Sequence, residues 1–196
     1  MRTIIATDIF GRNQFLLQFI QDCQLPADTL IVDPYLGSEH QFASQEQAYQ
    51  CFTDNGGLDA YTESLSQALN DQTEPCRLIG FSAGASAIWR VLANESSAAH
   101  VVKALCFYPG QIRHYQELLP LKPLTIVFPA KETHFDLAPV IENISNKKMV
   151  SARQLSLEHG FMNCQLSVFD EAAYWHFIGE VSVEAINVGE VSVEKI

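Results

Sequence analysis

Short apolar runs alternate with amphipathic stretches along the whole chain. Six apolar runs, rich in β-branched residues and bounded by Pro, Gly or Asp, predict buried parallel strands. Six stretches with apolar residues three or four positions apart predict helices, as where Leu58, Tyr61 and Leu65 share one face. The predicted strands are 2–7, 29–33, 76–81, 102–107, 123–128 and 150–156, and the predicted helices are 13–22, 57–70, 83–94, 111–118, 136–146 and 168–178.

This alternation indicates an α/β fold. Six strands separated by helices are typical of a doubly wound, mostly parallel six-stranded sheet with helices on both faces. No linker divides the chain, so residues 1–178 are expected to form a single domain. The polar, glutamine-rich segment 36–56 predicts a loop with a short helix near the mouth of any site that the sheet carries.

Residues 179–196 are predicted to form a C-terminal tail because they contain a duplicated segment. The six residues Gly-Glu-Val-Ser-Val-Glu at 179–184 recur at 189–194. Their apolar residues mostly alternate with polar ones, so each copy is compatible with a strand. A hairpin of the two copies at the sheet edge would pair with a second chain and give a homodimer. A duplicated, loosely ordered terminus is the favoured interpretation.

Charge and composition narrow the class of protein. The chain has 196 residues, of which 47% are apolar, and a formal net charge of −11. This charge repels phosphate backbones and anionic lipids, so neither nucleic acids nor membranes are expected as partners. No apolar run reaches the roughly 18 residues that span a bilayer, and the first strand is not preceded by a signal-peptide pattern. With five scattered cysteines, the expectation is a cytoplasmic protein with reduced thiols.

A glycine-flanked serine between a strand and a helix is the strongest chemical signal in the sequence. Ser82 lies between Gly80 and Gly84, directly after the predicted strand 76–81. This is the pattern of a nucleophile elbow, in which the serine stands at a helix N-terminus whose free N–H groups favour developing negative charge. The simpler interpretation is a serine that caps a helix, so the rest of the chain must distinguish the two.

A serine nucleophile needs a base, and in a parallel sheet the base should follow a strand. His159 follows the last predicted strand, and Gly160 allows a tight turn beside it. His134 also follows a strand and is a weaker candidate. The other four histidines lie in polar loops or helices, so we expect them to be surface residues.

The acid that orients the base is expected in the loop after the strand 123–128. Glu132 is favoured because it stands four residues beyond that strand, and Asp136 is the alternative acid, although it also suits the N-cap of the helix 136–146. The order Ser82, Glu132, His159 is that of the catalytic triad in α/β-hydrolases. A metal site made from these acids and histidines fits no zinc motif, so no metal is predicted.

Two backbone N–H groups are expected to stabilise the oxyanion of acyl transfer. One is the N–H of Ala83, which follows the nucleophile. The other should come from the loop 7–11 after the first strand, where the N–H of Ile9 or of Phe10 would face the site and Gly11 allows the chain to turn.

Five segments together resemble the dienelactone hydrolase family of α/β-hydrolases. They are an acidic-Ile-Phe-Gly turn, a segment with aspartate and proline, the elbow, the acid loop and a His-Gly-Phe signature, at 8–11, 33–36, 80–84, 128–132 and 159–163. The His-Gly-Phe signature is the most specific of them. The resemblance covers most of the chain, and no insertion is long enough for a lid, so it implies a minimal α/β-hydrolase fold with an open site.

The resemblance also implies a role for each candidate residue. The three side chains of the triad would be Ser82 as nucleophile, His159 as base and Glu132 as acid. The groups around them would be Ile9 and Ala83 as oxyanion donors and Asp8 as a carboxylate close to the nucleophile.

Four positions depart from the family pattern. Ser82 replaces the cysteine of the dienelactone enzymes, Glu132 replaces aspartate, and Pro129 replaces glycine. Asn163 stands where those enzymes use an arginine to hold the substrate carboxylate. The pattern therefore favours a serine esterase over an enzyme that acts on dienelactones.

These observations predict a serine hydrolase that cleaves an ester or thioester of a small carboxylic acid through an acyl-serine. The expected partner is a small-molecule ester, and no metal or organic cofactor is expected. The departures at Pro129 and Glu132 suggest an alternative, which is a catalytically inactive protein of the same fold that binds a small ligand or a protein partner.

Overall fold

A single parallel sheet forms the centre of the molecule. The computed structural model describes the backbone of residues 1–190 and the side chains of residues 1–182. In this part of the chain, six strands pair in the order β2-β1-β3-β4-β5-β6, and every pair is parallel. The strands are β1 (Arg2–Ala6), β2 (Leu30–Val32), β3 (Cys76–Phe81), β4 (Val101–Phe107), β5 (Leu124–Phe128) and β6 (Val150–Gln154). The predicted doubly wound fold is confirmed.

The helices lie between the strands, as the apolar periodicity predicts. They are α1 (Gln14–Asp22), α2 (Gln45–Asp54), α3 (Gly57–Asn70), α4 (Ala83–Val91), α5 (Glu95–Ala98), α6 (Leu137–Ser145) and α7 (Glu171–Glu190), with a short 3₁₀ helix at Gly110–His114. No described segment forms a lid domain over the sheet, and no helix within residues 1–190 has both the length and the apolar character needed to cross a lipid bilayer.

Two of the predicted helices are shorter in the structure, and the short helix expected in the polar segment is observed. The helix predicted over 83–94 ends early, because the side chain of Asn94 accepts the Ser97 N–H and starts the separate helix α5. The helix predicted over 111–118 is only the 3₁₀ turn at 110–114. In the segment 36–56, the expected short helix is the ten-residue α2, whose N-terminus is capped by Ser44.

Alternation along each strand divides the core into two layers. Ile4 of β1 and Leu78 of β3 face α2, α3, α4 and α6, whereas Ile5 and Ile79, the next residue of each strand, face α1 and α7. Both faces of the sheet are therefore covered, and the side chains left for chemistry are those in the loops at the strand ends.

The helix α7 continues through the boundary predicted after residue 178. Its apolar face extends from Tyr174 through Ile178 to Val181, which is buried, and Arg77 donates a 2.9 Å hydrogen bond to the Val181 carbonyl. The first copy of the duplicated segment is helical, so the strand prediction for that copy is wrong. Residues 191–194 of the second copy lie outside the described residues, and the homodimer stays a prediction.

The direction of chain winding reverses at β1. The strand β2 pairs with β1 on one side and β3 pairs with it on the other, so the loops after β1 and β3 diverge from a common crevice. In open parallel sheets, ligands bind at such a switch point, beyond the carboxyl ends of the strands. Ser82 and the turn that begins at Asp8 both lie at this crevice.

Candidate active site

The backbone of Ser82 is held in a rare conformation between β3 and α4. Its φ is +50° and its ψ is −109°, a region that side-chain-bearing residues seldom occupy. The Ser82 N–H donates to the carbonyl of Phe107 on β4, at 2.9 Å. Within the described residues, the Ser82 hydroxyl makes no capping bond to α4, so the helix-cap interpretation is wrong.

The two glycines beside the elbow are required by close packing. A Cβ on Gly80 would lie 2.6 Å from Cδ1 of Ile88 and 2.8 Å from Cα of Ala85. A Cβ on Gly84 would overlap the carbonyl oxygens of Ala6 and Thr7. The missing side chain allows the Gly84 N–H to donate to the Thr7 carbonyl at 3.0 Å, which brings the N-terminus of α4 against the end of β1.

Ser82, His159 and Glu132 form one hydrogen-bonded series. The Ser82 Oγ lies 3.1 Å from Nε2 of His159, and Nδ1 of His159 lies 2.8 Å from Oε1 of Glu132. Because a carboxylate only accepts, the imidazole proton belongs on Nδ1, which leaves the lone pair of Nε2 for the serine hydroxyl. This is the hydrogen-bond order of a serine, histidine, acid triad.

The loops after β5 and β6 position the acid and the base. The Ala130 N–H donates to the Leu157 carbonyl at 2.7 Å, which ties the two loops together. Gly110, in the loop after β4, leaves room beside both groups, since a Cβ there would lie 3.7 Å from Oε1 of Glu132 and 3.8 Å from Cε1 of His159. The side chains of Glu132 and His159 are 12% and 30% exposed.

The alternative acid does not join this series. Asp136 is exposed, and its carboxylate caps α6 by accepting the Ala138 N–H at 3.1 Å. His134 is also exposed, and the structure brings neither residue into hydrogen-bond distance of His159. Among the residues whose side chains are described, no group of three or more His, Cys, Asp or Glu side chains is arranged to hold a metal ion.

Residues 8–11, which we name the β1 turn, carry the second expected oxyanion donor. The Asp8 carbonyl accepts the Gly11 N–H at 3.1 Å and the Thr7 hydroxyl at 3.0 Å. The Phe10 N–H is taken by Oδ1 of Asp8 at 2.9 Å, whereas no acceptor within the described residues takes the Ile9 N–H. Of the two predicted alternatives, Ile9 therefore has the free donor.

The donor expected after the nucleophile is also free to bind a ligand. Ala83 is the first residue of α4, and N–H groups in the first turn of a helix have no acceptor within that helix. The Gly84 N–H bond to Thr7 joins the start of α4 to the residue before the β1 turn. The N-terminus of α4 and the β1 turn thus lie side by side, where both can point N–H groups at one oxygen.

Asp8 is a buried carboxylate beside the site. Asp8 is only 6% exposed. Burial raises the pKa of Asp8 to about 6, although the Phe10 N–H, the Asn163 side chain and the charge of His159 each act to lower it. Nδ2 of Asn163 donates to Oδ2 of Asp8 at 3.2 Å. Sequence reasoning placed Asp8 near the nucleophile but did not foresee this bond, which joins the β1 turn to the segment after His159.

Tyr108 is a second group that sequence reasoning did not place at the triad. It follows β4 with a φ of +43°, and its ring centroid lies 4.8 Å from that of His159. Burial raises the pKa of Tyr108, so its hydroxyl stays protonated. Its position directly after a strand was the available signal, and its buried ring packs against His159.

Similar structures establish the fold of this chain. A candidate dienelactone hydrolase from Klebsiella pneumoniae superimposes with a TM-score of 0.67 at 11% identity, covering 93% of this chain and 86% of the other. The chain has the α/β-hydrolase fold. Two other structures support this. The dienelactone hydrolase-like promiscuous phosphotriesterase P91 from metagenomic libraries superimposes with a TM-score of 0.61 at 15% identity, covering 93% of this chain and 85% of the other. The Bacillus cereus carboxylesterase superimposes with a TM-score of 0.58 at 13% identity, covering 92% and 87%.

Sequence comparison adds one relative of this chain. The uncharacterized protein YczH of Bacillus subtilis strain 168 is 25% identical over 177 residues, covering 88% of this chain and 86% of YczH. No model of a known protein family matches the sequence. The resemblance to dienelactone hydrolases is thus confirmed at the level of the fold.

Proposed function

We propose that this α/β-hydrolase is a serine hydrolase that cleaves an ester or thioester of a small carboxylic acid. The observation that carries the proposal is the series Ser82 Oγ, His159 Nε2 and Nδ1, and Glu132 Oε1, with separations of 3.1 and 2.8 Å, at a strained elbow. Backbone strain of this kind is retained where it serves a site.

In the first half of the reaction, Ser82 Oγ attacks the carbonyl carbon of the ester while His159 Nε2 takes the hydroxyl proton. Glu132 stabilises the imidazolium that forms. The N–H groups of Ile9 and Ala83 donate to the oxygen that becomes negative, and such donors supply much of the rate enhancement in acyl transfer.

The intermediate then collapses to an acyl-serine. The bond between the carbonyl carbon and the leaving oxygen or sulfur breaks, and the imidazolium of His159 gives its proton to the departing alcohol or thiol. A water molecule then attacks the acyl carbon while His159 takes one of its protons. The bond between that carbon and Ser82 Oγ breaks, and His159 returns the proton to Ser82 as the carboxylic acid leaves.

The wider setting supports an esterase of small substrates. Structures with this fold include a carboxylesterase from Bacillus cereus and a cold-adapted esterase from an Arctic intertidal metagenomic library. Asn163 bonds to Asp8 instead of offering a cation to a substrate carboxylate, so we do not assign dienelactone as the substrate. All five cysteines are free thiols, which supports a cytoplasmic location.

The proposal is tested with p-nitrophenyl acetate and a fluorophosphonate probe on the full chain and on Ser82→Ala. We expect hydrolysis and labelling of the native chain and loss of both in the variant. Ser86→Ala is the matched control, since Ser86 is a buried serine one turn further along α4. A native chain that is neither labelled nor active, or labelling that survives in Ser82→Ala, would overturn the proposal.

A further inference from the structure

We infer that Tyr35 is a positioning residue that fixes the β1 turn through the loop after β2, and thereby sets the direction of the Ile9 N–H. The inference rests on the proposed function, because it concerns how the oxyanion donor is held. It uses residues 33–37, which we name the β2 loop. This loop contacts the β1 turn and Arg12, the residue directly after it, and contributes no atom to the triad.

The first point is a buried hydrogen bond from the Tyr35 hydroxyl. The Tyr35 hydroxyl donates to the Ile9 carbonyl at 2.6 Å, and the carbonyl of Ala48 lies further from it, at 3.4 Å. Tyr35 is buried, and burial raises the pKa of its phenol, so the hydroxyl keeps the proton that it donates. The bond therefore has one direction and one principal acceptor.

The second point is an ion pair directly after the turn. Nε of Arg12 donates to Oδ2 of Asp33 at 2.7 Å. The same buried carboxylate accepts the backbone N–H of Tyr35 at 2.9 Å and that of Gly37 at 3.1 Å. Asp33 thus bonds to the backbone of Tyr35 and to Arg12 at once, which links the two loops.

The shapes of the two loops are also fitted to each other. Gly11 has a φ of +67°, and a Cβ on it would lie 2.9 Å from Cδ2 of Tyr35. The tyrosine ring therefore occupies the space that a side chain at position 11 would need. The turn is able to pass under the ring because glycine is the residue at that position.

These contacts restrain the peptide units on either side of Ile9. The unit between Ile9 and Phe10 is held at its oxygen by Tyr35 and at its N–H by Asp8. The unit between Asp8 and Ile9 is held at its carbonyl by Gly11 and Thr7. With those groups fixed, the Ile9 N–H keeps one orientation before substrate arrives. Preorganised donors of this kind stabilise charge without reorganisation during the reaction.

The inference is tested by Tyr35→Phe, which removes one hydroxyl and keeps the ring over Gly11. We expect kcat/KM for p-nitrophenyl acetate to fall by roughly 10-fold or more, less than for the loss of an oxyanion donor itself. The inhibition constant of phenylboronic acid, which forms a tetrahedral anionic adduct on Ser82, should rise by a similar factor. A purely structural role would lower the melting temperature and leave both quantities unchanged.

Tyr174→Phe is the matched control. The Tyr174 hydroxyl donates a 2.8 Å bond to Oδ2 of Asp22 on the opposite face of the sheet. This variant should lose stability, as Tyr35→Phe does, but keep kcat/KM and the boronic acid affinity. Arg12→Gln, at a half-exposed side chain, cuts the second contact and is expected to shift both quantities in the same direction even if Tyr35→Phe does not fold.

The outcomes separate this inference from the proposed function. Suppose that the native chain is active and that Ser82→Ala is not. If Tyr35→Phe then kept the native kcat/KM and boronic acid affinity, the inference would be overturned and the proposed function would stand. Arg12→Gln takes the place of Tyr35→Phe in this test if Tyr35→Phe does not fold. If the native chain itself neither hydrolyses esters nor reacts with fluorophosphonate, the proposed function fails first.

Discussion

The two sides of Ser82 are built differently. On the side of the β1 turn, the polar groups Asp8, Asp33 and Tyr35 are buried, and each is bonded to backbone groups. On the other side, Glu132 and His159 are partly open to solvent and are joined mainly to each other and to Ser82. The side of the β1 turn is buried and held by several hydrogen bonds, whereas the side of Glu132 and His159 is partly exposed to solvent.

The difference matches what each side would do in the proposed reaction. Oxyanion donors stabilise negative charge best when their orientation is fixed in advance, so burial and multiple bonds favour them. A general base has to release its proton to a leaving group and take another from water, so it needs access. The comparison suggests that substitutions on the accessible side change rate more than stability, and that substitutions on the buried side change both.

The largest effect is expected on the accessible side, from His159→Gln. Glutamine cannot accept and return the serine proton, so kcat/KM for p-nitrophenyl acetate should fall by roughly 10³-fold or more. The melting temperature should hardly change because the side chain is 30% exposed. His176→Gln, at an exposed histidine on α7, is the control and should keep full activity. Activity above a tenth of native in His159→Gln would contradict the assignment of the base.

On the buried side, the largest effect is expected from Gly84→Ala. The added Cβ would overlap the carbonyls of Ala6 and Thr7, so we expect a loss of about 3 kcal/mol or more in the free energy of unfolding, measured with urea.

The control for this change is Gly179→Ala in α7, where a Cβ would meet no atom within 4 Å. The same substitution should there stabilise the protein by about 0.5–1 kcal/mol, because alanine favours the helix. If alanine changed the free energy of unfolding equally at positions 84 and 179, α4 would not pack against β1 as closely as described.

The two carboxylates after β5 provide a third comparison. Glu132→Gln removes the charge that stabilises the imidazolium, and we expect kcat/KM to fall by roughly 10²-fold or more. Asp136→Asn should leave kcat/KM unchanged, because Asp136 caps α6 and does not reach His159. If instead the Asp136 variant lost activity and the Glu132 variant did not, the acid would have to be reassigned.

The last comparison concerns the Asp8 carboxyl and the pH dependence of the free energy of unfolding. Its pKa is raised from 3.8 to about 6, so its contribution to stability is fully present below pH 3.8 and is lost as pH rises through about 6. From that shift, the native chain should lose about 3 kcal/mol relative to Asp8→Asn between pH 3.5 and pH 7, as an order of magnitude. Urea titrations of both proteins at several pH values measure this. Parallel pH profiles would show that Asp8 does not carry a raised pKa.

Local patterns were sufficient to predict the sheet and the three side chains that form the hydrogen-bonded series at Ser82. Apolar runs placed all six strands to within two residues at each end, and the rule that ligands bind beyond strand ends selected Ser82, Glu132 and His159. The glycines at positions 80 and 84 indicated the elbow because close packing there excludes side chains. Each of these signals lies within a few residues of the group that it predicts.

What could not be predicted depends on contacts between distant parts of the chain. The bond from Asn163 to Asp8 joins residues 155 positions apart, and neither residue type indicates the other. The helical state of 179–182 follows from burial of Val181 against the sheet, which outweighs the alternating pattern of the segment. The contact between Tyr35 and Ile9 likewise exists only once β1 and β2 have paired.

The bonds that hold the elbow have a consequence for folding. The Ser82 N–H bonds to β4, and the Gly84 N–H bonds to the end of β1, so the strained geometry requires three strands from distant parts of the chain. A nascent or partly unfolded polypeptide lacks these partners, and its Ser82 is then an ordinary, unreactive serine. Under the proposed function, reactivity towards a fluorophosphonate would thus count only the molecules in which these three strands have assembled.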